Sequence, residues 1–402
     1  MSIYIPRELI EISKELNYRG KRAILVGGSV RDHFLRLPIK DYDIEVFGLN
    51  GIDELAKILS KFGDINLVGK SFGVLKLRVK NFEFDFSIPR EEEKISKGHR
   101  GFRVNLKRDI GFKEATQRRD FTINAIGFDI LSKEFLDPQN GIGDIKRGVL
   151  KHIDSRKFQE DPLRVYRGVQ FLARFNLKID SATFKLCLDM VDSGKLDELP
   201  KERVYIEIKK LLLKSKKPSI GIELMERLGI LNRYFPELLD MDIKKIDKIS
   251  KYKNLKLIFA TIGFYNPDRA EIFLKKLTNK KRIINEALKL TNALIENKKR
   301  ERWRERDIKE LSTQVRVDEF LKLYRVIFGS DNHRYIKKIA KILNIYTTPL
   351  KPFITGKDLI ALGLKPSKEF SKILNNIYNA QIKGEISNYN RAIEYLILNL
   401  SH

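Results

Sequence analysis

Ala23-Ile-Leu-Val-Gly-Gly-Ser-Val-Arg-Asp-His-Phe-Leu-Arg-Leu-Pro-Ile-Lys-Asp-Tyr-Asp-Ile-Glu-Val-Phe47 decides how this chain is to be read. Ala23 to Val26 predicts a strand that runs into Gly27-Gly28, followed by a short helical pattern and a second strand. In the second strand Asp41, Asp43 and Glu45 alternate with Tyr42, Ile44 and Val46. Side chains two apart on a strand share a face, so Asp41 and Asp43 point the same way. That is unfavourable unless a cation sits between them. Hard divalent ions such as Mg²⁺ take carboxylate oxygens and bridge to phosphates, and a pair of them can clamp the attacking and leaving oxygens of a phosphoryl transfer. Gly27-Gly28 lets backbone N–H groups approach a triphosphate closely. Asp-x-Asp by itself reads as a polar strand edge, because half-buried strands also alternate; Gly-Gly-x-x-Arg-Asp just upstream reverses that balance.

Working outward, Leu55, Ile58, Leu59 and Phe62 recur at helical spacing. Two strand patterns follow, Gly73–Val79 and Phe82–Ile88. In the second, Phe82, Phe84, Phe86 and Ile88 face one side, which sets Asp85 on the other as a candidate third carboxylate. Residues 90–112 are charged, punctuated by glycine and poor in apolar residues, and are read as a mobile loop. From about residue 150 onward the pattern is almost wholly helical. The expected class is therefore α+β, a small mixed sheet followed by an all-α remainder.

At 402 residues the chain is long enough for two or more domains. There is no run of eighteen apolar residues and no charged-then-apolar leader, so a cytoplasmic protein with no membrane span is expected. The single cysteine, Cys187, excludes an internal disulfide and is expected to fill a core. The five histidines show no His-Asp pair or His-x-x-x-His spacing, which argues against a histidine-built metal site. The net charge of +26 favours a polyanionic partner, nucleic acid by default, although a Lys-rich composition bias would also inflate it. Basic residues cluster late in the chain. Lys275, Lys276, Lys280, Lys281 and Arg282 form one group; Lys298, Lys299, Arg300, Arg302, Arg304 and Arg306 form another around Trp303. Such patches contact phosphates. Trp303 could stack on a base, but the anchor of a helix is the favoured reading.

Two further constellations carry chemistry. In Arg118-Arg119-Asp120-Phe-Thr-Ile-Asn124 the arginines suit triphosphate oxygens and the Asn a ribose hydroxyl or phosphate; the bland alternative is a basic helix start capped by Asp120. In Glu160-Asp161-Pro162-Leu163-Arg164 the bland reading is a capped helix start with an Asp–Arg pair. The sharper one is base recognition. A carboxylate accepts from an exocyclic amine and a guanidinium donates to a ring nitrogen, so Asp161 and Arg164 would accept cytosine and adenine. Uracil and guanine present the opposite polarity and would leave buried charged groups unpaired. Arg167 and Arg174 continue that helix, and Arg203 with Glu207 could hold the pair in position, touch RNA, or form a surface salt-bridge network.

These motifs, in this order and spacing, resemble class II tRNA nucleotidyltransferases, the bacterial CCA-adding enzymes and their poly(A) polymerase relatives. Asp137-Pro-Gln-Asn-Gly141-Ile-Gly143-Asp144 is similar to the family's link between head and neck. Lys201-Glu202-Arg203 to Leu212 resembles the helix that buttresses the template. Thr355-Gly356-Lys-Asp358-Leu-Ile-Ala-Leu-Gly363-Leu-Lys-Pro366 resembles a tail segment of bacterial members, with Ser367 where glycine is usual.

The resemblance implies a polymerase β-like catalytic head over 1–140, a helical neck over 141–215, and a body over 216–345 and tail over 346–402 that bind tRNA. Asp41 and Asp43 would bind Mg²⁺, with Asp85 as third carboxylate. Gly27, Gly28, Arg31, Arg118, Arg119, Asp120, Asn124 and Arg167 would surround CTP or ATP, while Asp161 and Arg164 choose the base. The expected reaction is addition of C, C and A to the tRNA 3′ end, with the acceptor and T arms gripped and no protein partner implied. The mobile loop near 90–112 would help to switch specificity from C to A. A partial CC- or A-adding enzyme, a poly(A) polymerase, and a non-catalytic RNA-binding scaffold are the alternatives.

Overall fold

The computed structural model describes residues 3–66, 73–94, 102–106, 110–239, 241–329, 333–367 and 369–400. They fall into two units, Met1–Pro236 and Glu237–His402. The first begins with α1 (Arg7–Tyr18), whose Leu9, Ile12 and Leu16 form one buried stripe. β1 (Arg22–Val26), α2 (Gly28–Phe34), β2 (Tyr42–Phe47) and α3 (Ile52–Leu59) follow. β3 (Asp64–Asn66), β4 (Val74–Val79) and β5 (Phe82–Ser87) complete one edge of the sheet. β8 (Gly127–Asp129) and β9 (Phe135–Leu136) complete the other, after an excursion through β6 (Arg90–Lys94), β7 (Phe102–Leu106) and α4 (Phe112–Thr116).

The seven-stranded sheet has the order β3-β4-β5-β2-β1-β8-β9. β2 and β5 run parallel, and their register sets Asp43 beside Asp85. β1 lies antiparallel on the other flank of β2, with Val26 opposite Asp43. The turn at Gly27 therefore leaves β1 next to the carboxylates. Alternation does the rest: Ile44, Val46, Leu75, Leu77, Phe84 and Phe86 pack with Leu9, Ile12, Leu55 and Leu59 in one core, while the intervening polar residues are left for the other face.

One expectation is corrected here. The stretch over 90–112 is not a plain loop: β6 and β7 form an antiparallel ribbon with Arg90 opposite Leu106 and Glu93 opposite Arg103. Phe102, Val104 and Leu106 carry a period of two that the acidic run ahead of them obscures. The rest of that loop, 95–101 and 107–109, lies outside the described residues.

Beyond the sheet the chain becomes helical, as its periodicity predicts. α5 (Gly141–Arg147) and β10 (Val149–Leu150) lead into α6 (Ser155–Glu160) and α7 (Leu163–Phe175). β11 (Lys178–Ile179), α8 (Ser181–Asp192), α9 (Lys201–Lys214), α10 (Ser219–Arg227) and α11 (Ile230–Tyr234) complete the unit. α7, α9 and α10 meet at Gly221, where a Cβ would lie 2.5 Å from a Leu211 methyl and 3.2 Å from Ala173 and Val169. Only glycine allows that approach. Cys187 is buried in α8, and burial pushes its thiol up to about 12.

In the second unit, α12 (Ile243–Ser250) to α15 (Lys281–Glu296), with α13 (Leu255–Tyr265) and α14 (Ala270–Leu277) between, precede α16 (Glu305–Gln314), α17 (Val317–Phe328) and α18 (His333–Ile342). α19 (Gly356–Ala361), α20 (Glu369–Lys383) and α21 (Tyr389–Leu400) share a small core of Leu359, Ile377, Ala380 and Leu396. Trp303 is buried edge-on to Phe320 and Tyr324, so it anchors its segment. Among the described residues no helix is long and apolar enough to cross a membrane.

Candidate active site

Asp43 is half-buried on β2, Asp41 is exposed just ahead of that strand, and Asp85 sits on β5 beside Asp43. Burial raises the proton affinity of Asp43, Asp85 and Asp41 raise it further, and Arg119 and Lys76 offset only part of this. The carboxylates are thus held together against repulsion. Lys76, across the ladder on β4, donates to both oxygens of Asp85 at 2.8 and 3.1 Å and to Glu83 at 3.0 Å. Among the described residues no group of three or more His, Cys, Asp or Glu is placed to hold a metal ion.

Gly27 has φ +71° and ψ −127°, a conformation that a side chain would strain. A Cβ there would lie 3.3 Å from Arg119 Nη1 and 3.6 Å from Asp43 Oδ2. Glycine leaves bare backbone between an arginine and a catalytic carboxylate candidate. Gly28 opens α2, and its position lies against the Arg31 guanidinium.

The arginines are positioned by buried acids. Glu45, fully buried on β2, accepts from Arg118 and lies 3.7 Å from Arg119 Nη2. Alternation grouped Glu45 with Asp41 and Asp43 but did not reveal this anchoring role; a charged residue inside an apolar strand was the available signal. Arg31 is buried, donates to Asp32 at 2.6 and 2.9 Å and to Asn124 Oδ1 at 2.7 Å, and stacks 4.6 Å from the Phe175 ring centre. Asn124 in turn donates to Asp120 at 2.9 Å. Asp120 also accepts from the Phe121 amide at 2.9 Å and from Arg167 at 2.6 Å. Burial disfavours the Asp120 charge, yet Arg167 and Asn124 outweigh it and hold the carboxyl below its ordinary range. Asp120 is therefore a hub rather than a helix cap.

Asp161 lies between α6 and α7. One oxygen accepts from the Leu163 amide at 3.2 Å, as a helix start would predict; the other accepts from Arg203 on α9 at 3.1 Å. Arg164 donates to the main-chain carbonyls of Lys157 at 2.9 Å and Arg118 at 2.6 Å. Glu207 is buried and accepts from Lys210 at 2.7 Å, while Arg174 lies 4.0 Å from Asp32. The structure thus brings Gly27, Arg118, Arg119, Asp120, Asn124, Asp161, Arg164 and Arg167 into one connected network beside Asp43.

The basic residues of the second unit are largely internally engaged. Lys275 pairs with Glu271 and Lys276 with Glu237, both at 2.6 Å, and Arg282 with Glu286 at 2.9 Å. Arg300 pairs with Asp307 at 2.8 Å and stacks on Trp303, and Lys298 lies over the Phe264 ring. Lys280 and Lys281 stand at the start of α15, and Lys299 in the turn after it.

Comparisons with known proteins place the chain among related sequences and folds. Residues 23–151 match the family model "Poly A polymerase head domain", and residues 176–241 match "Probable RNA and SrmB-binding site of polymerase A". Residues 251–397 match tRNA nucleotidyltransferase domain 2. The multifunctional CCA protein of Neisseria gonorrhoeae is 38% identical over 214 residues, 53% of this chain and 50% of that protein. That of Nitrosococcus oceani is 39% identical over 214 residues, again 53% and 50%. The matched stretch thus spans about half the length of these relatives. Among solved structures, the Bacillus stearothermophilus CCA-adding enzyme in complex with CTP aligns with a TM-score of 0.75 at 22% identity, covering 98% of both chains. The Thermotoga maritima CCA-adding enzyme complexed with tRNA aligns with a TM-score of 0.63 at 21% identity, covering 98% of this chain and 96% of that one. At such identities the likeness establishes the fold.

Proposed function

We infer, from a chain that belongs to the poly(A) polymerase and tRNA nucleotidyltransferase family, that it adds C, C and A to the 3′ end of tRNA from CTP and ATP, without a nucleic-acid template. The observation that carries this reading is the way Asp161 and Arg164 are held. Each is fixed by a partner outside the pair, Asp161 by Arg203 and Arg164 by two main-chain carbonyls. A carboxylate and a guanidinium offered to one base edge would suit the amine and ring nitrogen of cytosine or adenine and reject uracil and guanine.

In the reaction, the RNA 3′-hydroxyl oxygen bonds to the α-phosphorus, the bond to the bridging oxygen breaks, and pyrophosphate leaves. Arg118 and Arg119, oriented by Glu45, bind the triphosphate. Arg31 and Asp120 orient Asn124 towards the ribose. Asp43 would face the attacking hydroxyl as it loses its proton. Asp41 and Asp43, with Asp85 beside Asp43, would offer hard carboxylate oxygens of the kind that hold a divalent cation such as Mg²⁺. When bound, Mg²⁺ supplies charge neutralisation at the reacting phosphates. Functionally, the head would span 1–140, the template-bearing neck 141–215, and the tRNA-binding body and tail 216–345 and 346–402, with Lys281 and Lys299 among the cations offered to RNA. A cytoplasmic enzyme without a protein partner completes the reading.

The test is primer extension on three tRNA transcripts, ending at the discriminator base, the first C, and CC, with CTP, ATP or both. Full CCA that stops there supports the reading. Arrest at CC, or A added only to the CC transcript, makes it a split-task enzyme; a long A tail makes it a poly(A) polymerase.

A further inference from the structure

A cleft of about 950 Å³ opens in front of the catalytic carboxylates, with Asp41 and Asp85 in its wall and Tyr4, Arg36, Leu37 and Lys40 around it. It is separate from the nucleotide network: Gly27, Arg118, Arg119, Asn124, Asp161 and Arg164 are not part of its lining. The two meet at the carboxylate strands and α2. In an in-line displacement the attacking oxygen and the leaving group stand on opposite sides of the phosphorus. A nucleophile must therefore reach the carboxylates from a side that the triphosphate does not occupy.

The lining has the composition that holds a single strand. Tyr4 is 67% exposed and Leu37 40%, so an aromatic ring and an aliphatic side chain face solvent. Aromatic faces stack bases and nearby cations track the backbone. Arg36 and Lys40 are exposed, and no carboxylate among the described residues pairs with either, whereas Lys76 at the same cleft is bonded to Asp85 and Glu83. Arg36 also sits in a conformation that favours another residue. It has φ +55° at the end of α2, where the Leu37 amide bonds to the Asp32 carbonyl at 2.8 Å and the Arg36 amide to that of His33 at 3.0 Å. Glycine or asparagine is the usual residue of such a helix ending, so an arginine there is retained at a conformational cost.

We propose that this cleft receives the 3′-terminal nucleotides of the RNA primer, Tyr4 stacking on a base and Arg36 and Lys40 holding the phosphates behind the attacking hydroxyl. This rests on the nucleotidyl-transfer reading above.

Arg36→Gly tests it well, because glycine suits φ +55° and the variant should fold at least as well as the parent. Primer KM, KM for CTP-dependent extension at several salt concentrations, and CTP affinity without RNA by equilibrium dialysis would be measured. The expected result is a roughly tenfold rise in primer KM, typical of one lost charged contact, with CTP affinity unchanged. The slope of log KM against log salt should flatten by about 0.7, one phosphate contact to a single strand. Tyr4→Ala should raise primer KM as well, and Tyr4→Phe should restore it. A primer KM within about twofold of the parent in both Arg36→Gly and Tyr4→Ala would overturn the assignment, set against the tenfold expected of a charged contact. An equal loss of CTP affinity would overturn it too, by moving the cleft to the triphosphate. If the parent extends no RNA at all, the nucleotidyl-transfer reading itself falls and takes this proposal with it.

Discussion

Asp120 is where removal of one atom group should be felt both in stability and in chemistry. It is 6% exposed, accepts from two nitrogens of Arg167 at 2.6 Å and bonds Asn124 at 2.9 Å. Hydrogen bonds to charged groups are worth roughly 1.5–3 kcal/mol each, and breaking a buried ion pair by deleting one partner costs about 3–5 kcal/mol. The Arg167 side chain keeps 33% of its exposure, so water recovers part of its charge after the deletion. Asp120→Ala is therefore expected to cost about 2–3 kcal/mol, below the fully buried range. A cycle with Arg167→Met should return a coupling of about 2 kcal/mol. The pH dependence has a definite sign. The Asp120 carboxyl is held below its unfolded value, so its contribution is present above about pH 4 and is lost as pH falls through the folded value. The gap between parent and Asp120→Ala should stay constant from neutral pH to about pH 5 and close only in acid. Trp303 is the single tryptophan and lies in the second unit, so the unfolding of the first unit should be followed by circular dichroism or amide exchange. A coupling under about 0.5 kcal/mol, or a gap that persists unchanged to pH 2, would refute the hub assignment.

Three further outcomes are expected. Gly27→Ala should lose roughly 1–3 kcal/mol from its φ of +71°; turnover should fall further, because the new methyl meets Arg119 at 3.3 Å, and single-turnover kinetics alongside urea unfolding would separate the two effects. Asp43→Asn should abolish incorporation while leaving tRNA and CTP binding largely intact; substantial residual incorporation would remove Asp43 from the chemistry. Arg203→Leu unfastens Asp161 and is expected to weaken discrimination against UTP and GTP by about 10- to 100-fold, the worth of one charged hydrogen bond. Competition between labelled nucleotides reads this directly, and unchanged selectivity would make Arg203 a bystander.

What the sequence disclosed depended on distance along the chain. Asp41 and Asp43 were legible because alternation is local, and Asp85 because Phe82, Phe84 and Phe86 fix its face. Their meeting needed the parallel register of β2 and β5, which no local pattern states. The engagement of Lys76 with Asp85 depends on that same sheet order and was not foreseen. Arg203 lies 42 residues from Asp161, and only the packing of α9 on α7 joins them. The ribbon over 90–106 was missed for the opposite reason. Its first strand is an acidic run with no period, so local charge outweighed the alternation of Phe102, Val104 and Leu106. Trp303 was read correctly as an anchor, because one large apolar residue among cations more often serves a core than a base.

If Asp161 and Arg164 read the base and β2 carries the chemistry, as proposed, the contacts between them account for a buried acid beneath two arginines. An enzyme copying a nucleic acid can let base pairing fix the incoming nucleotide; one that reads the base with side chains must fix it from the protein. Here Arg164 bonds to the carbonyl of Arg118, the Arg118 side chain bonds to Glu45, and Glu45 is two residues from Asp43 on one strand. On that reading, base edge and α-phosphate would be referred to the same rigid element, which matters because misplacement of about 1 Å can cost a hundredfold in rate. Main-chain carbonyls suit Arg164 better than a second side chain would, since they have no rotamers of their own to order. Arg203 and the Leu163 amide do not exhaust the lone pairs of Asp161. On the proposed function, Asp161 would be fastened through part of its hydrogen-bonding capacity and would read the base with the remainder. A direct ion pair between Asp161 and Arg164 would instead spend on each other the groups that a base must meet.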